Sequence, residues 1–366
     1  MVEFRVPPRY CPLPPSTPHP AQETLEKQAL GWLAAQHLFT QPGVRERAAD
    51  TKSHILIAQI TPDAPIDRTQ PGVDWAYLMF LFDDLRTDLG PTATNTADLM
   101  NWLYDWVEVL SRPDSPPPAT AGRDPLMLAF AALSRRVRAC TTQELWRRWV
   151  DTHRLFCWGA LWESAQRTTR TATSFDAFLS ARAYLAGSPL PLLAGEIAHD
   201  LRVPEAERNH PLVRAAVEAA WMMVGLDDDI YSLPKEGLEA AEAGRDPDAE
   251  PSAVPIIKRE LRCDTATAVN QLVDYRDRIM LLLIRLRERA NQCRLSGDTL
   301  AYLDLALCEV RVDAIDWPPL APRYTAPVGK SEEPIHLIWS ATTDRPPSDG
   351  TALPFPAISW WWDHIH

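Results

Sequence analysis

Apolar positions recur at intervals of three and four through most of the chain, the spacing that lines one face of an α-helix. On that pattern helices are predicted at 21–37, 43–60, 71–90, 95–111, 124–138, 142–168, 174–186, 190–199, 211–233, 252–294 (one helix or a broken pair) and 297–315. No convincing period-two alternation marks a strand. Residues 1–20 carry Pro7, Pro8, Pro12, Pro14, Pro15, Pro18 and Pro20, which predicts an extended arm in place of a helix. Ser111–Arg123, with Pro116, Pro117 and Pro118, reads as a loop, and so does Glu239–Ser252, which is expected to be mobile. The helical pattern stops after Pro327. The division expected is an arm at 1–20, one helical domain at 21–330 and a tail at 331–366. Phe355, Ile358, Trp360, Trp361 and Trp362 are expected to fold that tail back onto the helices, because an exposed patch of such size invites aggregation.

At 366 residues, 46% hydrophobic and 23% charged, the chain is long enough for a large core. A net charge of −12 argues against nucleic acid or an anionic membrane surface as the main partner. It also means that an anionic ligand would need a cation to be held. No apolar run reaches the length of a membrane span, so the expectation is a soluble, cytoplasmic protein without stable membrane insertion. The six cysteines show no metal-binding spacing and read as reduced core residues.

Two acidic clusters change the picture. In a helix, Asp228, Ser232 and Glu236 fall at i, i+4 and i+8 and so present three oxygen donors on one face. Oxygen donors of this kind suit Mg²⁺, which keeps several waters and binds through carboxylates and substrate phosphates. The second cluster, Asp83, Asp84 and Asp88, ends the nearly all-apolar run Trp75–Phe82. By itself such a cluster reads as a solvated helix end, but carboxylates closing a buried helix are costly without a cation. Asp227 offers another register for the later cluster, rejected because Tyr231 would then stand where the serine belongs. A calcium loop is excluded by the missing glycine and the wrong spacing. Pro234, inside the Asp228–Glu236 cluster, should kink the helix between Ser232 and Glu236.

The two clusters together resemble the class I terpene synthases, whose DDxxx(D/E) motif matches Asp83, Asp84 and Asp88 and whose (N/D)DxxSxxxE motif matches Asp228, Ser232 and Glu236. Similar bacterial enzymes carry a diphosphate-sensing arginine 46 residues before the second motif, which is Arg182 here, and an Arg-Tyr pair, here Arg323-Tyr324, preceded six residues earlier by Trp317. The resemblance implies an all-α fold, a single-domain class I bundle around a central active-site cavity. It implies a prenyl diphosphate substrate, with farnesyl diphosphate as the commonest choice, and Mg²⁺, three ions, with Mn²⁺ as a substitute. Asp83, Asp84, Asp88, Asp228, Ser232 and Glu236 would be metal ligands. Arg182, Lys235, Arg323 and Tyr324 would bind diphosphate, and Phe80, Trp317 and Ala186 would line the hydrocarbon pocket. Catalysis would rest on Asp83, Arg182, Arg323 and Tyr324. A helix break is expected at Gly187-Ser188-Pro189, and a homodimer is among the expected assemblies. Geranyl or geranylgeranyl diphosphate would suit the same chemistry. The rivals are a prenyl-chain elongating synthase, which should show two DDxxD motifs, and a non-catalytic helical scaffold.

Overall fold

The computed structural model describes residues 2–88, 90, 92–93, 95–119, 121–169, 173–326 and 335–365. Its helices are α1 (Gln22–Ala35), α2 (Val44–Asp50), α3 (Ser53–Ile60), α4 (Ile66–Phe82), α5 (Thr96–Ser111), α6 (Pro125–Cys140), α7 (Gln143–Thr169), α8 (Phe175–Leu185) and α9 (Pro189–Ala198). They continue as α10 (Glu205–Arg208), α11 (Pro211–Tyr231), α12 (Leu233–Glu242), α13 (Ala253–Leu261), α14 (Thr265–Ala290), α15 (Gly297–Arg311), α16 (Pro322–Thr325) and α17 (Pro356–Ser359). The fold is all-α, as expected.

Two helices form its centre. In α4 nearly every residue from Thr69 to Phe82 is buried, against α1, α3, α6 and α9; in α11 the same holds from Leu212 to Tyr231, against α8, α14 and α15. A helix that is apolar on all sides belongs inside a bundle. Both end on their acidic clusters. α4 passes into a π-helical turn at Asp83–Asp88, and α11 stops at Tyr231, with Ser232 standing between it and α12.

Four differences from the sequence reading have physical causes. The 43–60 helix is two helices, broken at Lys52, whose φ of +51° no α-helix accommodates. Leu233–Glu242 is a helix, so the expected loop from Glu239 is helical to Glu242. Pro234 does more than kink. It sits in the first turn of α12, where its missing N–H costs nothing. The chain also contains strands: β1 (Val2–Val6) pairs in parallel with β2 (Ile335–Trp339), so the first residues of the arm are strand and not polyproline-like. Five residues on each side are too few for alternation to stand out. The expected break after α8 is present, with Gly187 at φ +72° between α8 and α9.

The tail from Ile335 onward packs against the bundle. Ile358, Trp361 and Trp362 are buried, and Trp361 Nε1 donates to Glu218 on α11 at 3.3 Å. Residues 331–334 and His366 of the expected tail lie outside the described residues. The arm reaches further: Arg9, buried, donates to Asp227 at 2.7 Å and to the carbonyl of Ala314 at 2.8 Å, with its guanidinium 4.6 Å from the Trp339 ring.

Core histidine His153 accepts from Trp75 Nε1 at 3.1 Å through Nε2, which leaves Nδ1 as the donor to the carbonyl of Trp149 at 2.7 Å. Its neutral form is fully satisfied, and burial lowers its pKa from 6.5 to about 4. Below pH 6.5 the unfolded chain gains a proton that the folded chain refuses until about pH 4. Stability should therefore fall by about 3 kcal/mol for this group between those values. Urea unfolding across that window should give a shallower fall for His153→Gln than for the wild type; parallel curves would mean that the histidine titrates normally. Separately, Trp361→Ala should lower the unfolding free energy by about 3–5 kcal/mol in the same assay, and a loss within error would show that the tail adds nothing to the core.

Candidate active site

The two acidic helix ends face one cavity. Lys235, on α12, bridges from the second motif to Asp88 at 3.2 Å, so one lysine side chain spans the distance between the walls. The cavity, about 170 Å³, is lined by Asp83, Asp88, Asp228, Ser232 and Glu236, by Arg182, Lys235, Arg323 and Tyr324, and by Phe80, Trp317 and Ala186. Of the predicted site residues only Asp84 is absent from the lining. It is buried on the outer side of the π-helical turn, where it accepts from Arg323 Nη1 at 2.6 Å and lies 3.8 Å from Arg47. Successive residues of a helical turn point in different directions, so Asp84 is turned away when Asp83 faces in.

The rotation of about 100° per residue of an α-helix sorts the three consecutive aspartates of α11. Asp227 is fully buried away from the cavity, between Arg9 and Arg276, the latter at 3.0 Å. Asp228 faces the cavity and accepts from Arg182 Nη2 at 2.6 Å. Asp229 accepts from Arg182 Nε at 2.9 Å. Arg182 also donates to the carbonyl of Gly225 at 2.9 Å, a close approach, since a Cβ there would stand 3.1 Å from Arg182 Cγ and the arginine would have to shift. On the next turn Ser232 Oγ donates to Glu236 Oε1 at 2.9 Å, so the helix break leaves these two side chains together.

The electrostatics show what the walls lack. Burial, and next the charge of Asp88, pushes the Asp83 carboxyl well above its ordinary range, and no lysine or arginine among the described residues lies within 4 Å of it. Asp88 is also desolvated, but Lys235 and Arg167 hold it below its ordinary value. Burial raises Glu236 despite Lys235. Arg323 Nε is buried without an acceptor. The donors are all oxygen and two of the acids are short of positive charge, which fits a hard divalent cation. The carboxylates do not converge into a ready cage among the described residues; most are turned to arginine or lysine.

Residues outside the motifs complete the lining. Glu163 and Arg167 come from α7, and Arg167 Nε donates to Glu250 at 2.9 Å. Arg245 donates to the other Glu250 oxygen at 2.8 Å, which ties the segment after α12 to the mouth. Tyr231 stacks edge-on to Tyr324 and Trp317, with ring centroids 4.7 and 6.1 Å away, and Phe80 lies 5.7 Å from Trp317. Trp317 is fixed by donation to the carbonyl of Thr51 at 2.9 Å. Arg323 lies over Phe80 at 5.4 Å. Tyr231 was missed by the sequence reading, although its place four residues before Lys235 within the second motif could have found it. Glu163, Arg167, Arg245 and Glu250 carry no spacing signal. Tyr77 is a core residue bonded to His54 at 2.8 Å.

The chain matches a family model described as terpene synthase family 2, C-terminal metal binding, over residues 74–280. It is similar to phomopsene synthase of Allokutzneria albata, 29% identical over 361 residues that cover 98% of this chain and 96% of that one. It is also similar to diterpene cyclase DtcycA of a Streptomyces species, 26% identical over 375 residues covering 99% and 97%. Among solved structures, the crystal structure of SVS_A2, a protein from ancestral sequence reconstruction, superposes with a TM-score of 0.80 at 27% identity, covering 98% of each chain. Among the described residues no helix is long and apolar enough to cross a membrane.

The register of the second motif can be tested through stability. Asp227→Ala should cost about 3–5 kcal/mol, because it leaves Arg9 buried without its anion and leaves Arg276 only Asp277 of its two carboxylates. Asp228→Ala should cost far less in the same urea titration, and equal losses would mean that the two aspartates have been assigned to the wrong faces.

Proposed function

The chain belongs to the bacterial class I terpene synthases, and from that premise we propose that it ionises and cyclises a linear prenyl diphosphate of 15 or 20 carbons in a Mg²⁺-dependent reaction. It is an enzyme, a lyase acting on prenyl diphosphates, and the scaffold reading is set aside. The elongating-synthase reading fits less well, since the second motif has Ser232 and Glu236 where a second DDxxD would stand. Farnesyl diphosphate is what the resemblance implies for the chain length. A relative named as a diterpene cyclase, matched over 99% of this chain, gives geranylgeranyl diphosphate equal standing.

The observation that carries the reading is the interlock at the polar end of the cavity. Arg182, Lys235 and Arg323 each pair with a carboxylate of an acidic motif. Asp83 and Asp88 on one wall, with Asp228, Ser232 and Glu236 on the other, would hold the ions, three by analogy. Bound there, Mg²⁺ neutralises diphosphate and stabilises charge growing on the leaving group. Arg182, Lys235 and Arg323 would then turn to phosphate oxygens, the unpartnered Nε of Arg323 among them, and Tyr324 would add a neutral hydrogen bond. Asp84 stands behind Arg323 and would act through it, as a positioning residue and not a ligand. Arg167 and Arg245, held by Glu250, would close the mouth and keep water out. Phe80, Tyr231, Trp317 and Phe156 present π faces to the carbocation, while Ala186 and Gly187 leave space at the break between α8 and α9.

The test is incubation of the purified protein with geranyl, farnesyl and geranylgeranyl diphosphate, with and without isopentenyl diphosphate, followed by analysis of volatile products and released diphosphate. Cyclic products should form in Mg²⁺, vanish in excess EDTA and return when Mg²⁺ is restored. Arg323→Ala should lower turnover by roughly 10²–10³-fold and Tyr324→Phe by less. Turnover undiminished in EDTA, or longer prenyl diphosphates as the products, would overturn the reading.

A further inference from the structure

Glu309 and Asp313 lie one turn apart where α15 passes into the π-helical turn Val312–Asp316. Glu309 is fully buried and Asp313 is 4% exposed. Both carboxylate oxygens of Glu309 and Oδ1 of Asp313 lack a hydrogen-bond partner, and no lysine or arginine among the described residues pairs with either side chain. Asp313 lines the cavity, one turn before Trp317 and near Tyr231, and Glu309 stands behind it. None of the roles assigned above uses these two acids.

Buried acceptors without donors are rare, and each costs free energy comparable to a lost hydrogen bond. A leucine would fill such a wall at no such cost. No protein donor reaches these three oxygens, and water, which brings two donors, is the usual partner of buried polar groups left over by the fold. We infer that Asp313, backed by Glu309, holds a water molecule in the cavity wall and that this water ends the cyclisation, so the product is a terpene alcohol. A water that gives its hydrogens to carboxyl oxygens in the wall turns its lone pairs toward the cavity. In the closing step a lone pair forms the C–O bond to the cationic carbon. The oxonium O–H bond that points to Asp313 then breaks, its proton passing to that carboxyl oxygen and from there to the diphosphate anion released at ionisation. Charge and atoms balance: cation, water and diphosphate become alcohol and hydrogen diphosphate.

This inference rests on the proposed cyclase reaction, and one experiment separates the two. The wild-type enzyme is run in H₂¹⁸O with each prenyl diphosphate, and products and diphosphate are measured in the same tubes. The expected principal product is an alcohol carrying ¹⁸O. Asp313→Leu should lower the alcohol formed per diphosphate released by at least about tenfold in favour of hydrocarbons. Asp313→Asn, which keeps an acceptor oxygen, should retain it. Diphosphate release with hydrocarbon products alone from the wild type would overturn the hydration site and leave the cyclase reading standing. So would an unchanged alcohol share in Asp313→Leu, or carbon-bound deuterium without oxygen after a parallel run in D₂O, since the acids would then be passing a proton to an alkene. If Asp313→Leu does not fold, the wild-type label and Glu309→Leu, which removes the backing acceptor oxygens and is expected to lower the alcohol share, decide in its place. No diphosphate release from any substrate would overturn the cyclase reading, and this one with it.

Discussion

Acidic side chains at the C-terminal ends of two buried helices are the constraint around which the structure is arranged. The partial negative charge of a helix sits at its C-terminus, so Asp83 and Asp88 after α4, and Asp228 at the end of α11, add charge where charge is already unfavourable. Burial at this placement adds to the cost at Asp83, whereas Glu236, raised by burial too, lies in the first turn of α12, where the helix end favours an anion. Other elements answer the acidic charge: α8 brings Arg182, α12 brings Lys235, α7 brings Arg167 and α16 brings Arg323. Those cations are spaced by the acids they meet, so a site that needs both signs of charge is set out by the fold itself.

The arm and the tail belong to the same arrangement. Asp227 is one residue from the cavity-facing Asp228, and its carboxylate is shared between Arg9 of the arm and Arg276 of α14. Arg276 also donates to the carbonyl of Tyr10 at 2.6 Å, and Asp277 accepts from the Tyr10 amide at 3.0 Å. Through Arg9 the arm touches the carbonyl of Ala314, within the π-helical turn that carries Asp313 and leads to Trp317. Arg311 and Ser16 both hold Asp316 on the same turn. The position of an aromatic wall of the cavity thus depends on residues some 300 positions away in sequence.

The site was legible where one helix imposes its period on it. Asp228, Ser232 and Glu236 all line the cavity, as their spacing implied, although α11 stops at Tyr231, ahead of the kink expected from Pro234, and Pro234 opens α12. The same arithmetic rejected Asp227, which the structure turns toward Arg9 and Arg276. It was less informative for Asp83 and Asp84, where the helix gives way to a π-turn and the pattern does not say which of two adjacent acids faces in. Contacts between distant segments left no trace in periodicity. The pairing of β1 with β2, the reach of Arg9, and the Arg167–Glu250–Arg245 link join segments that no local pattern connects. Only the start of the loop expected at Glu239–Ser252 was misread: the chain stays helical to Glu242, because Ala and Glu in a short run serve a helix as well as a loop.

Asp84 shows how the two halves of the polar end are coupled. Arg323 donates to it at 2.6 Å and lies 3.6 Å from Asp88, while Lys235 holds Asp88 from the other side. One arginine therefore reads both the outer and the inner face of the same π-turn. A six-residue π-turn widens the backbone enough for Asp83 and Asp88, five positions apart, to line one cavity while Asp84 points outward. In an ordinary α-helix a separation of five would place the second acid well off the face of the first. The π-turn thus does what spacing alone cannot: it gathers two carboxylates to the cavity and leaves the third free to hold the arginine that the cavity needs.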